Sequence, residues 1–312
     1  PRQPEGVLGL IVESLRRRWQ AGHNAPTLLC CDNLPNNGDV LRAGVLDFAR
    51  RIDPALAGWI KKEACFPSSM VDRITPASTE ETLNRCHDLT GCIDKVPVET
   101  EAFTQWVIED SFADGRPDWG AAGVLFVPSV APFEHMKLRM LNGAHSMLAY
   151  SGFLSGCTHV RDVMADPHLS RLVQRHLAAA ASTLKPLKGI DYGQYAEQLI
   201  QRFKNPAMAH ETYQIAMDGT EKLPQRLIAP AVEAVESQQD CRPYAFAVAA
   251  WMRYCMGRTD EGATFHLRDP KEAMIRELLD GQSTAADIEA ALTTIPGLFP
   301  DALLDHAQWR AQ

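Results

Sequence analysis

The sequence predicts an α/β domain followed by a mostly α-helical one, and three observations carry that prediction. Helical and strand-like segments alternate up to about residue 130. Helical periodicity dominates after Pro132, and strand signals nearly vanish. The 312 residues are 46% hydrophobic and 22% charged, the balance of an ordinary globular protein. Two domains follow, 1–130 and 131–312, with the break near 129–133.

The elements of the first part are read in order. Residues 6–20, GVLGLIVESLRRRWQ, place apolar side chains at 7, 8, 11, 12 and 15 and end on a basic turn, as an amphipathic helix does. TLLCCDN, 27–33, is a short apolar run ending in Asp-Asn and reads as a buried strand of parallel type. LPNNG, 34–38, is a loop, and GDVLRAGVLDFARRI opens a second helix. Ala64–Met70 is strand or loop. GVLFVPSV, 123–130, is a second apolar run. The alternation is that of an α/β domain.

In the second part, periodicity places helices at 134–154, 158–182, 191–204, 208–218, 223–237, 243–256, 270–279 and 284–293. Asp218-Gly219 reads as a helix C-terminal stop, and Gly219 and Pro224 punctuate the helices around them.

Composition excludes several function classes. The net charge is −8 with no long basic run, so there is no electrostatic footprint for nucleic acid. No apolar stretch is long enough to span a bilayer; AFAVAAWM, 245–252, reads as a buried helix. The eight cysteines are irregularly spaced with no C-x2-C pair, the pattern of free thiols in a reducing cytoplasm. The ten histidines show no metal-ligand spacing, so no metal is expected. A cytoplasmic monomer is the expectation. The chain begins with Pro1, so something is expected to precede it or to have been removed.

The chemistry concentrates in EHMKLRMLNGAHSMLAY, 134–150. Lys137, Asn142 and His145 form a Lys-x4-Asn-x2-His pattern within a predicted helix. At α-helical geometry they fall within roughly 140° of one face. A lysine, an amide and an imidazole pointing one way suit removal of a proton from an alcohol and retention of the resulting oxyanion. The same trio is also what a solvated helix face carries. Leu138, Leu141 and Leu148 share part of the arc, which is unusual for a plain exposed face.

Five segments in order, CDNLPNNGDV (31–40), FPSSMVDRITP (66–76), QWVIED (105–110), KLRMLNGAHSMLAY (137–150) and IAMDGTEKLPQR (215–226), resemble the polyol-specific long-chain dehydrogenase/reductase family. That family includes mannitol 2-dehydrogenase and fructuronate reductase (mannonate oxidoreductase). The resemblance spans about residues 27–260. It implies an NAD- or NADP-dependent oxidoreductase without a metal, acting on a polyol or keto-sugar. It implies Lys137 as the catalytic acid/base, with Asn142, His145 and Asn33 at the reacting oxygen. Asp72 matches an acidic residue near the lysine, and Lys222 and Arg226 are candidate substrate contacts.

Without the resemblance, Asn33 reads as a turn cap, Asp72 as a partner of Arg73, and Lys222 and Arg226 equally as solvated charges. A free lysine has a pKa of about 10.4 and must be depressed to act as a base near neutrality. Glu211 stands where a basic residue is expected in fructuronate-reductase-like members, which favours a neutral polyol or an alternative anchor such as Arg226.

No G-x-G-x-x-G follows any strand, so the cofactor-binding residues are not legible. The expectation is a chain lacking its amino-terminal Rossmann half. Two other readings stay open: a non-catalytic binding or interaction fragment, and a polyol-phosphate dehydrogenase.

Overall fold

A computed structural model describes residues 5–312. They divide into two compact units, Pro1–Ile74 with Ala102–Glu134, and Thr75–Glu101 with His135–Gln312.

The first unit contains α1 (Val7–Gln20), α2 (Asn37–Ile52) and α3 (Pro54–Glu63). Val12, Leu15, Val45, Leu46, Ala49, Leu56 and Ile60 interdigitate as its core. Asp53 ends α2 and caps α3, accepting from Ala55 N at 2.8 Å, with Pro54 at the first helical position where its missing N–H costs nothing. Strand β1 (Ser69–Asp72) follows. After it, α4 (Glu80–Thr90) belongs to the second unit. Then β2 (Gln105–Glu109) and β3 (Leu125–Val127) complete a three-stranded sheet ordered β1-β2-β3. β1 and β2 are antiparallel, with Ser69 opposite Ile108; β2 and β3 are parallel, with Val107 opposite Leu125.

The expected strand at 27–33 does not form. Thr27 makes one parallel bridge to Cys65, and Leu28–Cys31 run on half-buried or exposed. The carbonyl of Cys30 accepts from Asn37 Nδ2 at 3.2 Å and Ser69 Oγ at 2.6 Å. Side-chain donors thus take the place of a strand ladder. Asn37 is the buried organiser: Nδ2 also donates to the carbonyls of Asp32 and Ser69, and Oδ1 accepts from Ser69 N.

The excursion Thr75–Glu101 groups with the second unit rather than with residues 1–130. Its end is fixed by Glu101, which takes a buried bidentate pair from Arg202 at 2.8 and 2.9 Å.

In the second unit, α5 (Ala131–Met136) runs into a π-helical turn at Lys137–Asn142 and then α6 (Gly143–Leu154). α6 is buried on nearly all sides, as a central helix must be. Around it come α7 (Val160–Ala165), α8 (Pro167–Ser182) and α9 (Tyr192–Phe203). The single helix expected at 158–182 breaks at Asp166-Pro167. There, extended Asp166 caps α8 through His168 N and Leu169 N.

The helix expected at 208–218 shortens to α10 (Thr212–Ala216). Asp218-Gly219 starts a helix instead of stopping one. Asp218 sits in the left-handed region at φ 55°, and α11 (Gly219–Leu223) follows at once. It continues through a second π-helical turn, Pro224–Ile228, into α12 (Ala229–Glu236). Pro224 inside a helix lacks an N–H and clashes with the carbonyl four residues back; the wider turn accommodates it. The unit ends with α13 (Arg242–Cys255), α14 (Glu272–Leu279), α15 (Ala285–Leu292), α16 (Asp301–Leu304) and α17 (Ala307–Arg310).

No helix among the described residues is long and apolar enough to cross a membrane. All eight cysteines are free thiols.

Gly38 lies against the 66–68 backbone; a Cβ there would sit 2.4 Å from the carbonyl oxygen of Phe66. Gly38→Ala is expected to destabilise the protein by about 3 kcal/mol, the scale of overpacking against an immovable neighbour. Urea denaturation checks this; an unchanged midpoint would show that the α2 entry yields more easily than the geometry requires.

Candidate active site

The Lys137–Asn142–His145 stretch is not a solvated face. Relative exposures are 9% for Lys137, 7% for Asn142 and 6% for His145. The π-helical turn changes their relation. In an α-helix, positions five apart diverge by about 140°. In a π turn, hydrogen bonds run between residues five apart, which brings Lys137 and Asn142 toward one line.

The second π turn packs against the first. At their crossing, a Cβ on Gly143 would lie 3.0 Å from the carbonyl oxygen of Arg226 and 3.0 Å from His176 Nε2. The absence of a side chain at Gly143 is what lets the two backbones approach. It brings Arg226 to Ser146, where Nη1 donates to Oγ at 3.3 Å.

His145 packs against the ring of Phe203 (centroids 4.8 Å apart) and edge-on to His210 (5.3 Å). Burial holds its pKa well below the ordinary imidazole value, and the neighbouring His210, Arg226, Arg202 and Lys137 add to the shift. The ring is therefore neutral at physiological pH. Burial likewise lowers His210 to about 4, helped by Lys222. Lys222 is lowered by burial and by Arg226. It donates to the Met217 carbonyl at 2.6 Å and lies 3.6 Å from Asp218 Oδ2. Arg226 is pushed down to about 10 by burial.

Among the described residues, Asn142 Nδ2, His145 Nε2 and Tyr150 Oη are buried without a hydrogen-bond partner. Buried polar atoms are nearly always paired, so these three have hydrogen bonds to offer water or another polar molecule beside this helix.

The structure gathers Lys137, Asn142, His145, Lys222 and Arg226 in the second unit. Asn33 and Asp72 belong to the first unit. Asn33 is exposed, its N–H donating to Asp32 Oδ1 at 2.8 Å. Asp72 is fully buried at the end of β1, opposite Gln105. Sequence reasoning missed His210, Ser146 and Tyr150. Ser146 and Tyr150 carry a signal in hindsight, since 142, 146 and 150 repeat every four residues.

A sequence profile described as mannitol dehydrogenase C-terminal domain matches residues 129–304, and one described as mannitol dehydrogenase Rossmann domain matches residues 1–121.

The chain belongs to the mannitol dehydrogenase family.

The expectation of a missing Rossmann half is not borne out by this match, which begins at residue 1. The chain is 45% identical to the uncharacterized oxidoreductase YeiQ of Escherichia coli K12, over 98% of this chain and 62% of that one. It is 43% identical to the D-mannonate oxidoreductase of the same organism, over 99% of this chain and 64% of the relative. The solved ternary complex of Pseudomonas fluorescens mannitol 2-dehydrogenase with NAD and D-mannitol superposes with a TM-score of 0.84. It is 35% identical and aligns over 99% of this chain and 62% of that one. The chain thus spans somewhat under two thirds of the length of these family members.

Membership implies a nicotinamide cofactor. Among the described residues, no strand feeds a glycine-rich turn that opens a helix, the arrangement that cradles a pyrophosphate. β3 passes through Pro128, Ser129 and Val130 into α5, and β1 leads into Arg73. Among the described residues, no group of three or more His, Cys, Asp or Glu is placed to hold a metal ion.

The depressed His210 pKa has a consequence for stability. The unfolded imidazole titrates at 6.5 and the folded one at about 4, so the unfolded chain binds more protons between those values. Stability from this group is complete above about pH 6.5 and lost as pH falls toward 4. His210→Gln is expected to flatten that part of the stability–pH curve. Chemical denaturation at half-unit pH steps reads it, and an unaltered acid limb would place the titration elsewhere.

Proposed function

We propose that this mannitol dehydrogenase family chain serves an NAD(P)-dependent oxidoreductase. The reaction would interconvert a secondary alcohol of a linear polyol or aldonate with the matching keto group, as in fructose/mannitol or fructuronate/mannonate. The observation that supports this reading is the buried π turn, which presents Lys137 and Asn142 together beside neutral His145.

In the reductive direction, the Lys137 ammonium donates its proton to the substrate oxygen; in the oxidative direction, the amine takes the hydroxyl proton. Asn142 Nδ2, buried and unpartnered, donates to that oxygen as negative charge develops on it. A preorganised donor of this kind is worth roughly 3 kcal/mol in a transition state. His145 Nε2 hydrogen-bonds the same oxygen or a neighbouring hydroxyl, and the hydrophobic packing of Phe203 fixes its ring. On the family resemblance, Asn33 is assigned as a second donor to the oxygen and Asp72 as a tuning group. Lys222 and Arg226 are assigned to the rest of the substrate. No step assigned to these residues requires a metal.

Lys137→Ala in the protein carrying this chain should lower turnover by about 10²- to 10⁴-fold, the range for a positioned acid/base. NADH oxidation with D-fructose and D-fructuronate side by side reads the effect. Turnover that survives the substitution would remove Lys137 as the proton donor.

A further inference from the structure

We propose that Arg139 and Glu233 are positioning residues: their ion pair holds the first π turn in the register that sets Asn142 beside Lys137. The inference rests on the reading of Lys137, Asn142 and His145 as the reacting centre.

Arg139 sits inside that turn, two positions after Lys137. Side chains two apart on a helical turn do not face each other, so Arg139 leaves the turn on a different side from Lys137. Its side chain is 12% exposed. Nη1 donates to Glu233 Oε2 at 2.7 Å and Nη2 to Glu233 Oε1 at 2.6 Å, the fork of a bidentate pair. Nη1 also donates to the carbonyl of Thr183 at 2.8 Å. Thr183 ends α8, where helix carbonyls lack partners within their own helix. One side chain therefore joins the π turn to the end of α8 and to α12.

The link to α12 matters because of what precedes it. Glu233 lies on the helix into which the second π turn runs without a break. The two turns already meet at Gly143, where the Arg226 carbonyl and His176 Nε2 leave no room for a Cβ. A single contact lets two packed segments pivot about it. The Arg139–Glu233 pair is a second contact, set apart from the first on both segments, and two contacts remove the pivot.

The register is what needs holding. The Gly143 N–H donates to the carbonyl of Leu138, a bond across five residues that an α-helix does not make. No proline in the first turn forces that spacing. If the turn relaxed to α-helical bonding, Lys137 and Asn142 would diverge by about 140°. Lysine at position 139 would keep the charge but lose the planar fork that reaches a carboxylate and a carbonyl at once.

The test uses the protein carrying this chain with its nicotinamide, and D-fructose and D-fructuronate as substrates. Arg139→Ala should lower kcat by about 10²-fold with KM changed less than about 3-fold, as a small misplacement of reacting groups does. Arg139→Lys should recover little of the loss. Glu233→Gln, at a half-exposed site, should lower kcat by about 10-fold. Guanidinium chloride at millimolar concentration should raise kcat of Arg139→Ala by about 10-fold, since the ion can dock on the Glu233 carboxylate. It should do nothing for the double variant Arg139→Ala/Glu233→Ala.

Hydrogen exchange at the Gly143 amide reads the turn without turnover. Exchange should quicken by about 10-fold in Arg139→Ala and slow again with guanidinium. Exchange indifferent to both residues would overturn the proposal. So would a kcat unchanged in Arg139→Ala and Glu233→Gln where Lys137→Ala abolishes turnover. A fall in kcat that guanidinium leaves untouched would mark the pair as general support and overturn it too. Quickened, guanidinium-restored exchange in a protein whose turnover survives Lys137→Ala would sink the reacting-centre reading and leave the pair as the tether of the turn. Glu233→Gln keeps the proposal open to failure if Arg139→Ala does not fold.

Discussion

The approach of two π-helical turns across Gly143 is the constraint on which the candidate site depends. One turn carries Lys137 and Asn142, the other Arg226. Each costs something, since a π turn has poorer hydrogen-bond geometry than the α-helix around it. Pro224 explains the second turn directly, because its ring cannot coexist with α-helical spacing. The first turn contains no proline. Its counterpart is the contact itself: the Arg226 carbonyl and the His176 ring fill the space a residue larger than glycine would need. Both turns gain from a packing that neither sequence segment could enforce alone.

Around that crossing, the second unit holds an unusual density of polar groups in an apolar setting. α6 is buried on almost every side, yet Asn142, His145, Ser146 and Tyr150 lie along it. Burial shifts each titratable member in the direction that removes charge: His145 and His210 downward, Tyr150 upward. The cations differ in their partners. Arg202 is neutralised by Glu101, Lys222 leans on main-chain carbonyls and Asp218, and Arg226 is left with a serine. That inequality, rather than the number of charges, is what gives the site a direction.

The first unit is organised by different means. Its helices share an apolar core, but the loop that carries Asn33 is shaped by Asn37. That buried side chain satisfies three carbonyls and one amide from separate segments. Polar satisfaction of this kind fixes a backbone without a strand ladder. It accounts for an apolar run that reads as a strand yet makes only one bridge.

The sequence by itself determined the helical second part, the locations of α1, α2, α9, α13, α14 and α15, and the Lys137–Asn142–His145 motif. These rest on periodicity and on local motif order, which need no knowledge of neighbours. It misplaced the run at 27–33, the continuous helix at 158–182 and the role of Asp218-Gly219. Apolar content does not distinguish a ladder from side-chain bonding, and a left-handed Asp218 can open a helix as readily as it closes one. Only the tertiary structure decided that the motif is buried, and that a π turn draws Lys137 and Asn142 toward one line. It alone showed that Glu101 closes on Arg202 and that Arg226 reaches Ser146. Those pairs lie 101 and 80 residues apart, a separation at which periodicity and spacing carry no information and packing carries all of it.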